Sequence, residues 1–282
     1  QCNNSYIAFD GKSVTVKAAE GANVVLQLQV PITITNGGKA NLQGIKIDAS
    51  RLTELADWYE HVIYATDATE GKELVMDGCE LYGFNINKSA IYSSSSNTLA
   101  LCDVKDCYFH DNMKSCFFFE GSSIAELSVV NSTFANIATD ATGYYAGIVD
   151  VRNADAKVTI DHCTFYNAQD TRGVYLGNVD GAQVSNCIFM NPEYNADYKS
   201  YCVYGKNTLL THSISRNADA YVRSGAQSNN VSTQDPFFVD AASGNFQLYS
   251  NSPATTMGTD GTAIGDPRWG VSEEEADIPE GP

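Results

Sequence analysis

Three aromatic pairs stand in the longest stretches without strand character: Trp58 and Tyr59, Tyr144 and Tyr145, and Tyr194 and Tyr198. Exposed rings suit a saccharide, whose axial C–H groups pack on a ring face while its hydroxyls stay hydrated. Such rings also serve as covers lying flat on the protein beneath them. Charged side chains with catalytic or metal-binding chemistry are more scattered. Lys88, Lys114 and Arg172 precede short apolar runs, Arg152 follows Asp150 by two positions, and Glu120 ends an apolar run. His162 and His212 occupy one repeated position, and a histidine on a solvated bend is more often a surface residue than a base. Asp103, Asp106 and Asp111 are near enough in sequence to gather round calcium, although solvated turn carboxylates are the commoner outcome.

What must position these residues is a repeat. The phrase Met76-Asp-Gly-Cys79-Glu-Leu81 returns around Cys107, Ser132, Cys163, Cys187 and Ser213, in steps of 28, 25, 31, 24 and 26 residues. A period of this length built from strand-like words marks a solenoid, whose rungs bury a core only by stacking. Counting from the Cys or Ser, apolar or small residues fall at minus five, minus three, zero and plus two. Alternation on each side of a three-residue step predicts two short strands meeting at a bend. At plus four stand Gly83, Asp111, Asn136, Asn167, Asn191 and Asn217. Asn tolerates left-handed backbone, and stacked amides can bond from rung to rung. A third strand follows: Ala90-Ile-Tyr92, Cys116 to Phe119, Gly147-Ile-Val149, Gly173 to Leu176, and Cys202-Val-Tyr204.

Three strands per rung, an Asn turn and an inward column of Cys and Phe resemble the right-handed parallel β-helix of the pectin-lyase-like superfamily, over roughly residues 40 to 230. The ending Asp235-Pro-Phe-Phe, Gly244-Asn-Phe-Gln-Leu248, Asn251-Ser-Pro-Ala254 and Ile264-Gly-Asp-Pro-Arg-Trp269 resembles that of uncharacterised Bacteroidetes cell-surface β-helix proteins. The resemblance implies an all-β, single-stranded right-handed parallel β-helix over residues 1–234, a C-terminal cap over 235–270 and an acidic disordered tail over 271–282. It does not fix a reaction, because the superfamily holds lyases, hydrolases, esterases and non-catalytic members. Its lyases use Lys or Arg to take the proton beside a uronate carboxyl, which would make Lys114 or Arg172 the base. The paired aspartates and the Gly-His-Gly and Arg-x-Lys words of its polygalacturonases are absent from this sequence.

Composition narrows the partners. With 34 acidic and 17 basic residues the net charge is −17, which repels nucleic acid and acidic lipid. No run of 18 apolar residues exists, so no membrane-spanning segment is expected. Of the eight cysteines, Cys79, Cys107, Cys163 and Cys187 share one inward column while Cys102, Cys116 and Cys202 sit in other strands, which reads as buried thiols rather than a disulfide framework. With neither Met nor a leader at its start, the chain reads as processed or trimmed, and a lipid anchor upstream stays open.

A second aromatic series, Tyr92, Phe118, Tyr175 and Tyr204 with Val149 between, lies in the third strands. If Ile91, Phe117, Ile148, Val174 and Val203 point inward, this series is an outward stripe. The opposite parity makes it core, and that reading is favoured. The expected function is an extracellular or cell-surface protein holding a polysaccharide along the aromatic edge formed by Trp58, Tyr59, Tyr144, Tyr145, Tyr194 and Tyr198. The rivals are a uronate lyase and a non-catalytic spacer or adhesin. No cofactor is expected, with calcium the one metal left open.

Overall fold

The computed structural model describes residues 6–52, 61–84, 89–112, 115–121, 123–137, 147–167, 172–191, 201–216, 220–223 and 227–277. Of Arg172, Tyr201 and residues 220–223 it describes the strand alone.

Short extended words with period-two burial make strands, and each finds its partner one repeat later. Leu101–Lys105 pairs in parallel with Glu73–Asp77 on one side and with Glu126–Val130 on the other. The third strands form a nine-stranded parallel sheet running from Ile7–Asp10 to Ala220–Arg223. The first and second strands form a sixteen-stranded sheet, joined through Leu209–Arg216. Among the described residues helix is confined to three short 3-10 turns and to Leu52. The chain is therefore all-β, with large parallel sheets stacked as a solenoid.

The bend between first and second strands is one left-handed residue in seven successive rungs. Gly44, Gly78, Asp106, Asn131, His162, Asn186 and His212 have φ between 47° and 62°. This explains why the position is held by Gly, Asp, Asn or His, which reach that conformation most readily. After six of these bends comes the Cys or Ser of the repeat (Ile45 follows Gly44), and its column carries an internal hydrogen-bond chain. The Cys79 N–H donates to Cys107 Sγ at 3.4 Å, Cys107 N–H to Ser132 Oγ at 3.1 Å, and Cys187 N–H to Ser213 Oγ at 3.1 Å. A small side chain with an acceptor atom is what this corner needs. All seven described cysteines are buried. Burial pushes the Cys116 and Cys163 thiols well up and that of Cys202 to about 12, as for inert thiols.

At the turn after the second strand, Gly83, Asp111, Asn136 and Asn167 are again left-handed. Asn136 Nδ2 donates to Asp111 Oδ1 at 3.0 Å and Asn167 Nδ2 to Asn136 Oδ1 at 2.8 Å, the rung-to-rung amide ladder expected from the stacking. Inside, Phe109, Phe134, Phe165 and Phe189 form a second ladder with ring centroids 5.2, 5.0 and 4.6 Å apart.

The third strands correct one expectation. Ile63, Ile91, Phe117, Val149, Val174 and Val203 are partners across the sheet and are all fully buried. The neighbouring column is Tyr64, Tyr92, Phe118, Asp150, Tyr175 and Tyr204. Its rings are partly exposed, so the aromatic series is an outward stripe and not core. The expected alignment was also one residue out at a single rung: Val149, not Ile148, faces inward, and Asp150 joins the stripe. Ile148 and Val149 are both apolar, and such a run fixes no parity.

From residue 236 the chain runs back down the outer face of the second strands. The Gly265 N–H donates to Asn186 O at 2.8 Å and the Asp266 N–H to Thr164 Oγ1 at 3.0 Å. Thr133 Oγ1 donates to Asp266 Oδ2 at 2.7 Å, and Arg268 Nη2 donates to Cys107 O at 2.7 Å. Asn186, Thr164, Thr133 and Cys107 belong to four consecutive rungs, so this segment is a strap along the side of the solenoid. Beneath it Tyr166 and Phe246 are buried with Ala135, and Trp269 packs against them. Within the acidic stretch, the Ser272 N–H donates to Leu248 O, and Asn251 Nδ2 donates to Ala276 O. At the other end the first rung lies open. Val14 and Val16 are 40% exposed, although their partners Ala40 and Leu42 are buried.

Candidate functional site

The outer face of the third strands gathers a row of aromatic and ionisable side chains. Strand alternation sends every second residue outward, and the parallel register sets these residues one above another at roughly 4.8 Å. Tyr175 and Tyr204 stack with centroids 4.9 Å apart and planes 23° apart. Two rings that close cannot lie side by side on the sheet, so they stand face to face along the solenoid axis. Tyr175 leans over Gly177, where a Cβ would come within 2.8 Å of the ring. The glycine is what leaves room for it. Tyr92 lies 5.7 Å from Phe118 and stacks on the buried His61 ring at 3.8 Å. The Tyr92 hydroxyl donates to Glu120 Oε2 at 2.9 Å.

Asp150 stands where the stripe would otherwise carry a ring. Its buried carboxylate accepts from Arg152 Nε at 3.0 Å and Nη2 at 2.8 Å. That clamp lays the guanidinium over Phe118, 4.9 Å from the ring centroid, and 5.7 Å from the Tyr175 centroid. The cation thus fills the missing step of the aromatic series and is held by contact with both rings. Asp150 lies in the strand Gly147–Val151 and Arg152 directly follows its end, a spacing visible in the sequence but not read as a pair. Tyr64, the ring above Tyr92, was also missed.

Trp58, Tyr59, Tyr144, Tyr145, Tyr194, Tyr198, Lys88 and Lys114 lie outside the described residues, as does the side chain of Arg172. The segments carrying the six aromatics lead directly into third strands that begin at His61, Gly147 and Tyr201. Asp103, Asp106 and Asp111 do not converge. Asp103 lies within the strand Leu99–Lys105, Asp106 accepts from Asn131 Nδ2, and Asp111 accepts from Asn136 at the next turn. Among the described residues no group of three or more His, Cys, Asp or Glu is placed to hold a metal ion. No described helix is long and apolar enough to cross a membrane.

His162 is a bend residue whose Nδ1 meets Asp161 Oδ2 at 2.8 Å. Donating this hydrogen bond to Asp161 raises the His162 pKa above the ordinary 6.5. Burial raises the Asp161 carboxyl, but hydrogen bonds from His162, Ser185 and Asn186 outweigh it, and the net shift is below 3.8. The His162 contribution is full below its unfolded pKa and is lost as pH rises through the raised folded value. The Asp161 contribution is lost as pH falls through its depressed value. His162→Asn keeps a left-handed residue like Asn131 and Asn186 but removes the titration. The melting-temperature advantage of the wild type over this variant should therefore shrink between pH 5.5 and pH 8; a constant difference would contradict the pairing.

Residues 158–269 match the model of a family described as a domain of unknown function, DUF5123. The match begins at Val158 in the first strand of one rung and ends at Trp269 of the strap. It therefore takes in the strap and two of the four rungs it grips. No curated protein matches the chain.

Proposed function

We propose that this chain is a right-handed parallel β-helix of the pectin-lyase-like kind that holds a polysaccharide along the outer face of its third strands. The observation that carries the reading is the in-register series Tyr64, Tyr92, Phe118, Arg152 on Asp150, Tyr175 and Tyr204. Five rings and one cation span six rungs, roughly 24 Å at the strand spacing, which suits a polymer and exceeds any single sugar. Ring edges and phenol groups pair apolar surface with hydroxyl groups, the combination a sugar chain presents. Among the described side chains of this face, Asp150, Arg152 and Glu120 leave one negative charge. That balance favours a neutral chain of hydroxylated rings over a polyanion. An extracellular or outer-surface location goes with the reading, since polymeric glycans are met there.

Affinity electrophoresis through gels holding neutral and uronate polysaccharides tests it. Retardation by at least one neutral polymer is expected. The double variant Tyr92→Ala/Tyr175→Ala should weaken it roughly tenfold or more, taking about 0.5 to 1.5 kcal/mol per ring. Absence of retardation across the gels, or equal mobility shifts for wild type and variant, defeats the proposal. Following the same polymers for the absorbance of unsaturated ends separates holding from cleavage.

A further inference from the structure

The second strands carry a different feature at the point where the strap stops. Their outer column reads Lys46, Glu80, Tyr108, Thr133, Thr164, Ile188 and Ile214. From Thr133 onward the members are small or apolar and lie under the strap. Above Trp269 the strap is gone, and the column turns aromatic and then charged. A pocket of about 280 Å³ opens there, between Trp269 and Tyr108 on one side and the bends of Gly44 and Gly78 on the other.

The bends explain why the space exists. In the later rungs the left-handed corner carries a side chain: Asp106, Asn131, His162, Asn186, His212 and Asn230. Only at Gly44 and Gly78 does the corner carry none, and a Cβ built at Gly78 finds nothing nearer than Gly44 at 3.9 Å. The polar wall is rigid. Lys46 Nζ meets Glu80 Oε2 at 2.7 Å, and Glu80 Oε1 meets His110 Nε2 at 3.1 Å. His110 in turn is stacked between Tyr82 and Tyr108, with centroids 5.1 and 4.4 Å away, and its Nδ1 meets Asp111. Both imidazole nitrogens are engaged, so His110 braces Glu80 and is not placed to act as a base.

We propose that this pocket is a second binding site, for a single neutral monosaccharide unit. Tyr108 and Trp269 supply aromatic walls for the C–H face of one ring. Lys46 and Glu80 form a neutral pair with donors and acceptors to spare for hydroxyls. The volume suits one ring and not a chain. The proposal does not rest on the third-face reading, because the two faces share none of these residues.

The chain has two tryptophans, so Trp58→Phe leaves Trp269 as the single indole reporter. Its fluorescence is titrated with D-glucose, D-galactose and N-acetyl-D-glucosamine. A saturable change with at least one sugar is expected. Gly78→Asn in the same background should weaken it roughly tenfold, or abolish it, since Asn fits that backbone elsewhere in the column but fills the floor. Circular dichroism checks that this variant folds; should it not, Lys46→Gln takes its place with the same expected loss. No saturable response to any of the three sugars overturns the site, as does a response that the folded variant leaves unchanged.

Discussion

Phe134→Ala should cost the solenoid about 4 kcal/mol of stability, within the range of about 3–5 for buried Phe→Ala. Phe134 is fully buried and stacks on Phe109 and Phe165, with centroids 5.2 and 5.0 Å away, while meeting Phe117 edge-on at 6.0 Å. Truncation removes apolar burial, leaves a cavity bounded by rung backbones that cannot collapse, and breaks two stacked pairs at once. Each such pair adds roughly 0.5–1.5 kcal/mol beyond its area. Phe134→Leu fills most of the volume and should cost no more than about half as much. Urea unfolding of both variants measures the difference. A loss below about 1.5 kcal/mol for the alanine variant would falsify the ladder as a main support of the core.

Asp266→Ala should release the strap at a cost of about 3 kcal/mol. The Asp266 side chain is fully buried, accepts from Thr133 Oγ1 and binds the Arg268 guanidinium, which also donates to the Asp106 and Cys107 carbonyls. Removing one partner of a buried pair strands the other, which costs about 3–5 kcal/mol. Arg268 is partly exposed, so the lower end applies. Trp269, whose Nε1 donates to Thr133 Oγ1 at 2.8 Å, should lose its place as well. Limited proteolysis within residues 236–270 and a fall in melting temperature are the expected signs. An unaltered digestion pattern would mean that the apolar contacts of Phe246 and Leu248 hold the strap alone.

The solenoid was legible because its physics is local and periodic. One left-handed corner per rung demands Gly, Asn, Asp or His, and a stacked amide turn demands Asn or Asp, so both columns could be read by eye. The strap was not legible as such. Its contacts join residues 133 positions apart, as between Thr133 and Asp266, and no periodicity reports them. A trace exists nonetheless: the outer column of the second strands changes from Lys46 and Glu80 to Thr133, Thr164 and Ile188 where something covers it. The third face failed on parity, since Ile148 and Val149 offer two apolar residues in succession. The aromatic residues singled out first, from Trp58 to Tyr198, lie outside the described residues, and the proposed site rests on the stripe of the strands themselves.

The strap has a consequence for how the molecule comes apart. A stack of rungs is a one-dimensional array in which each unit feels only its neighbours, so it can fray from either end one unit at a time. A segment bonded to Asn186, Thr164, Thr133 and Cys107 adds a term satisfied only when four rungs are present together. Those rungs become a single melting block, while the open first rung with Val14 and Val16 stays outside it. Hydrogen exchange should then divide the chain into a slow block beneath the strap and a faster edge, a boundary set by a tether and not by the repeat.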